Sequence, residues 1–267
     1  MNVIPLGPVE LGIAALLLII LAVVATVQKL ALGQKILISA TRTVIQLSLI
    51  GLVLKTLFET VHLGWIALLS FIMLTIAGWE VMARQGRRYS GVWGFGIGAT
   101  SMFCSSFVIT VLVLHLVIAA TPWYTPQYAI PLLGMMLGNT MNSIALGLDQ
   151  LTRETWRGRG MIEARLLMGQ TWQQAILPIR KAALKTSMIP TINAMAAAGL
   201  VSIPGMMTGQ ILAGNSPDVA VRYQILIMFM VTAGAGFGSI IAIWLGAKRL
   251  FDHRQRLRLD RLQPEKA

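Results

Sequence analysis

Seven apolar runs, each long enough to cross a bilayer, leave this chain few folds to choose from. They lie near Leu11–Val27, Ile36–Phe58, Leu63–Met82, Val92–Ala120, Tyr128–Leu148, Met188–Leu212 and Tyr223–Ala247. A spanning helix takes about 20 apolar residues, because hydrocarbon offers backbone N–H and C=O groups no partner and the helix must satisfy them itself. The fourth run exceeds one span, which predicts a tilted, kinked or partly interfacial helix. Only 12% of residues are charged, against about 25% in a soluble domain. The alternating pattern of an outer-membrane barrel is absent. The expectation is an all-α, polytopic integral membrane protein of about seven transmembrane helices, forming one domain over residues 1–267.

Orientation follows from the cations. With the N-terminus outside, the inner segments hold Lys29, Lys35, Arg84, Arg87 and Arg88. They also hold the seven cations between Arg153 and Lys185 and those from Lys248 to Lys266, together 19 of the 22 Lys and Arg. Only Arg42, Lys55 and Arg222 fall elsewhere. This predicts an N-out, C-in topology and accounts for the +12 charge without nucleic acid. A nucleic-acid partner would want aromatics among the basic residues, and the 248–267 tail has only Phe251. That tail reads as a solvated cytoplasmic end near anionic lipid. Met1–Gly7 carry no cation, so no secretory leader is expected. The single cysteine, Cys104, forms no intrachain disulfide and is expected as a small buried apolar residue.

One loop is not short. Residues 149–185 turn polar and basic, a predicted cytoplasmic loop. It opens with a flexible, charged piece, Thr152–Gly160. A helical pattern follows over Met161–Leu177 and ends at Pro178, with Ala164, Met168, Trp172 and Ala175 on one face. Three readings stand: an amphipathic helix on the membrane surface, a coupling helix seated on a cytoplasmic partner, or a channel's gating helix. The chain contains no G-x-x-x-x-G-K-(S/T) stretch, so any ATP that drives it binds another chain.

Inside the membrane, Gly134-Met-Met-Leu-Gly-Asn139 and Gly205-Met-Met-Thr-Gly-Gln210 repeat one pattern. Glycines at i and i+4 (Gly134/Gly138, Gly205/Gly209) allow close helix approach. Met135, Met136, Met206 and Met207 add soft, adaptable thioethers. Asn139, Asn142 and Gln210 put carboxamides at the same depth, a combination suited to a transport pathway. Packing alone is the competing explanation, since Gly94/Gly98 and Gly234/Gly238 share the spacing. Pro190 and Pro204 loosen the sixth run, and broken helices at a cargo site are a transporter device. Arg42 and Gln46 lie one turn apart in the second run. There Arg42 either snorkels to the surface or lines a pathway, repelling bare cations. Glu80 is placed to pair with Arg84 at i+4, and His115 is the only membrane histidine. Hard metal ions want more carboxylate or imidazole than this, so no metal ligand is assigned.

The stretch Gly199–Gly214 continuing to Tyr223-Gln224-Ile225 resembles the signature of the FetB family, ABC-type permeases of bacteria implicated in iron export. Pro131–Asn142, Arg42-Thr-Val-Ile-Gln46 and the Glu163-Ala164…Gly169 loop match it in the same order, over almost the whole chain. Arg165 departs from the usual second alanine of that loop, and the gap from Gly169 to Pro178 is short. The resemblance implies a non-enzymatic permease in the bacterial inner membrane that exports iron or an iron-related substrate as a homodimer. It also implies a separate ATPase subunit that binds ATP and Mg and docks at Glu163, Ala164, Gly169 and Trp172. A self-sufficient secondary metal transporter or channel is the alternative.

Overall fold

The computed structural model describes residues 7–30, 32–59 and 62–265. Met1–Leu6, where no leader is expected, and the tail cation Lys266 lie outside the described residues. The regular structure of the described residues is helical, with three isolated β-bridges and no strand. It divides into two compact units, residues 1–62 with 210–215, and residues 63–209 with 216–267.

The first unit is built on α1 (Pro8–Val27) and α2 (Gly33–Glu59). Pro8 opens α1, where its missing N–H costs nothing. Near the other end, Thr26 Oγ1 donates to the Ala22 carbonyl at 2.7 Å. Gly33 starts α2 against that turn. A Cβ there would stand 2.1 Å from Thr26 Oγ1 and 2.7 Å from Ala22 O, so the approach requires glycine. Both helices expose Leu, Ile and Val on most sides, as lipid-facing helices do.

The second unit contains α3 (Leu63–Ala83), α4 (Trp93–Met102) and α5 (Val108–Val113). It continues with α6 (Pro126–Arg157), α7 (Arg159–Leu167), α8 (Trp172–Ala197), α9 (Gly205–Leu212) and α10 (Pro217–Arg249). The last residues of α9 belong with the first unit. π-helical turns at Phe103–Phe107 and Leu114–Ile118 make α4 and α5 one continuous helical path. Helix α6 is central and packs on α3, α8 and α10. The tight seams lie along α10. A Cβ on Gly238 would come within 2.7 Å of Thr140 Cγ2 and 2.8 Å of Ser105 Oγ, and one on Gly234 within 2.5 Å of Met136 Cε. Lipid tails are as apolar as leucine, so such close contact is what holds spanning helices together. The repeated-motif glycines are less crowded. Gly134 would meet only Met73 Cε, at 3.3 Å, and Gly138, Gly205 and Gly209 nothing within 4 Å.

Among the described residues six helices are long and apolar enough to span, α4 and α5 counting as one. The run Met188–Leu212, expected as a further span, is instead broken. Helix α8 starts well before it and stops at Ala197, and α9 begins only at Gly205. Between them Gly199 takes a left-handed φ of +84°, its N–H donates to Ser202 O at 2.9 Å, and Pro204 brings no N–H of its own.

The polar loop also differs from expectation. Thr152–Arg157 is not flexible, because α6 runs through it with Leu148, Leu151, Thr152 and Thr155 buried, and the Arg87 guanidinium stacks 3.9 Å over Trp156. The predicted helix Met161–Leu177 is two helices. Gly169, at φ +83°, turns the chain after α7, and Thr171 forms a capping box with Gln174 that starts α8. Pro178 does not end α8, which continues through it and Pro190. The basic tail is folded. Gln263 N–H donates to Arg88 O and Ser90 N–H to Arg261 O, both at 2.8 Å, while Tyr89 bridges Leu262. Lys248, Arg254 and Arg256 are exposed, whereas Arg261 Nη1 turns inward and donates to the carbonyls of Arg249 and Phe251. Cys104 is exposed rather than buried.

Candidate functional site

A cleft of about 250 Å³ lies where α8 breaks off. Helix α6 contributes Met135, Asn139, Asn142 and Ser143; Asn139 is i+4 from Met135, and Asn142 and Ser143 are i+3 and i+4 from Asn139, so they share one face. Helix α8 brings Pro190, Thr191 and Ala194. Pro204, Gly205 and Met206 come from the break and the start of α9, and α10 adds Gln224, Ile227, Met228 and Val231.

Its polar atoms are unequally satisfied. Asn139 Nδ2 donates to the Met135 carbonyl at 2.8 Å, and the hydroxyls of Ser143 and Thr191 share a hydrogen bond of 3.3 Å. Asn142 Oδ1 accepts from Arg84 Nη1. Arg84 pairs with Glu80, Nε to Oε2 at 3.7 Å, at the i+4 spacing seen in the sequence. Gln224 is only 8% exposed, yet its Oε1 has no hydrogen-bond partner. A buried acceptor left unpaired costs about 1–3 kcal/mol. The lining holds no carboxylate, imidazole, thiol or amine. Among the described residues no group of three His, Cys, Asp or Glu is placed to hold a metal.

Met135, Asn139, Asn142 and Met206 of the sequence-derived set therefore meet in one cleft. Met136 does not join them. It is 1% exposed and fills the space left by Gly234. Met207 is not among the lining residues either. Gln210 belongs to the first unit, where its Oε1 is shielded and unpaired. Arg42 and Gln46 lie on the exposed surface of α2, beside Thr41 and Ile45. His115 sits edge-on to Trp123, with ring centroids 6.4 Å apart.

A second concavity, about 600 Å³, lies between the α7–α8 turn and the C-terminal tail. Glu163 and Gly169 line one wall, and Arg254, Gln255 and Leu257 the other. Ala164 is exposed on α7, and Leu167 and Met168 project at 89% and 72% exposure. Trp172 is anchored: its N–H donates to Gln255 Oε1 at 2.9 Å and its ring lies 5.5 Å from that of Phe251. Asp252 shapes the tail turn, accepting from the backbone N–H groups of Arg254 and Arg256 and from Arg256 Nε. The Arg256 N–H, then the Arg256 side chain, hold its carboxyl at about 2.

The sequence reasoning did not assign Gln224, Thr191, Arg84 or the Arg254–Leu257 turn. Gln224 had a signal, a carboxamide inside an apolar run. The turn had none, since its docking depends on Trp172, 83 residues away in the sequence.

The model of the uncharacterised protein family UPF0014 matches residues 8–251. The chain is 37% identical to the UPF0014 membrane protein slr1647 of Synechocystis over 86% of this chain and 88% of that protein. It is 34% identical to ALUMINUM SENSITIVE 3 of Arabidopsis thaliana, covering 87% and 83%. To the Escherichia coli protein called probable iron export permease protein FetB it is 30% identical, covering 95% and 96%. No solved structure matches. The chain belongs to the UPF0014 family of membrane proteins.

Proposed function

We propose that this UPF0014 protein is the permease subunit of an ATP-driven transporter and moves its cargo through the cleft at the α8 break. One observation carries the reading: carboxamides and hydroxyls converge where α8 breaks off, between α6 and α10, two helices long and apolar enough to span a membrane. Irregular backbone at membrane depth is tolerated where it lines a cavity, and transporters use it to present polar groups to cargo. An anchor or scaffold gains nothing from a buried acceptor left open.

The similarity to a protein named a probable iron export permease, over nearly the full chain, supports export of iron or an iron-related cargo. The sequence carries no phosphate-binding loop, which supports hydrolysis by a separate ATPase that carries ATP and Mg. The α7–α8 turn, with Glu163, Gly169 and the projecting Leu167 and Met168, is the seat we assign to it. The cation distribution supports an N-out, C-in orientation in a bacterial inner membrane, and the working unit is two copies of each subunit.

Reconstitution into proteoliposomes tests this. Iron movement is expected only when the ATPase and ATP are both present. Movement driven by an ion gradient without any ATPase would identify a self-sufficient secondary transporter instead.

A further inference from the structure

The cleft's unpartnered atom says what kind of cargo it accepts. Gln224 Oε1 is enclosed by the protein and accepts no hydrogen bond, while the other polar side chains of the lining are at least partly engaged with their neighbours. Among the lining residues Gln224 Oε1 is the buried acceptor that lacks a donor. No acidic group faces the space. A cationic side chain is bonded to the lining, Arg84 on Asn142, with Glu80 offsetting part of its charge.

A bare divalent iron ion entering such a space would shed water that carboxamides, hydroxyls and thioethers without a single carboxylate cannot replace. Hard cations are held by several oxygen ligands with carboxylates among them, and an uncompensated charge out of water is strongly disfavoured. The chemistry suits a molecule with N–H or O–H donors and no net positive charge.

We propose that Gln224 is a cargo-binding residue and that the cargo is neutral or anionic and donates hydrogen bonds. A metal then passes only inside a complex whose ligands supply those donors. Gln224 Oε1 takes the donor, Asn142 keeps an amide free for an acceptor, and Arg84 sets the charge preference from the far side of Asn142. This rests on the reading of the cleft as the transport path.

The test uses the full chain in lipid nanodiscs and two radiolabelled probes, ferric citrate as an anionic, hydroxyl-bearing chelate and Fe²⁺ alone. Wild type is expected to bind ferric citrate and not Fe²⁺. Gln224→Leu should weaken ferric citrate binding about tenfold, the loss of one hydrogen bond, with a melting temperature no lower than wild type, because the unpaired buried acceptor is removed. Arg84→Gln should weaken it as well, and Gln224→Glu should admit Fe²⁺ in its place. Absence of ferric citrate binding, binding indifferent to both Gln224→Leu and Arg84→Gln, or Fe²⁺ binding by wild type that Asn139→Leu removes would each overturn the proposal. ATP-driven transport of both probes is scored separately. Transport of bare Fe²⁺ keeps the permease reading and discards this one, whereas chelate binding without transport does the reverse.

Discussion

The backbone N–H of Trp172 donates to the side-chain oxygen of Gln255 at 2.9 Å, across 83 residues of sequence. This bond ties the first residue of α8, an orphan donor by position in the helix, to a turn in the C-terminal tail. Gln255 reaches it from a left-handed backbone, φ +59°, which Asp252 braces. The tail thus forms one wall of the concavity assigned to the ATPase. Gln255→Ala leaves the Trp172 N–H to water and should cost about 1 kcal/mol. Hydrogen exchange at residues 172 and 251–257 should accelerate, while exchange in α6 and α10 stays unchanged.

Glycine substitutions should separate the real seams from the repeated motif. Gly238→Ala drives a methyl into Thr140 and Ser105 and should destabilise by about 1–3 kcal/mol, the usual penalty for overpacking. Gly138→Ala meets nothing within 4 Å and should fold with wild-type stability. Thermal unfolding in detergent compares the two.

Gly169→Leu meets open space but forces a side chain onto a φ of +83°, a local cost of about 1 kcal/mol. Insertion and the overall melting temperature should be retained. Stimulation of the partner ATPase and ATP-driven transport should fall together, because the turn between α7 and α8 loses its shape. Normal stimulation in this variant would count against the assigned seat.

Acid should open the tail turn first. The Asp252 carboxyl sits at about 2 in the folded protein, below the unfolded value of about 3.9. Its contribution is therefore complete above pH 4 and lost as pH falls from there toward 2. Exchange or proteolysis at residues 252–257 should rise over that range, and Asp252→Asn should lose this pH dependence.

Much of this was legible in the sequence because membrane helices announce themselves by length and apolarity. Asn139, Asn142 and Met135 could be placed on one face from spacing alone, and Glu80 with Arg84 from the i+4 rule. The broken span was only partly legible. Pro190 and Pro204 mark Met188–Leu212 as a loosened run, but α8 passes through Pro190 and stops at Ala197, and hydropathy does not register a backbone that departs from helix at Gly199. The role of Met136 was hidden for a related reason. Adjacent methionines look alike in sequence, yet one faces the cleft and the other fills the gap at Gly234. The folded tail escaped because its order comes from backbone bonds to residues 88–90, which composition cannot show.

The central claim is that cargo crosses through the cleft between α6, α8 and α10. The most direct measurement is ATP-driven transport by the complex bearing Asn139→Cys in a Cys104→Ser background, before and after labelling with a bulky maleimide. Labelled Val108→Cys, on an exposed face, serves as the control. The account predicts that labelling at 139 abolishes transport, with melting temperature and ATPase binding unchanged, while labelling at 108 has no effect. Transport at the unlabelled rate with residue 139 fully modified would contradict it.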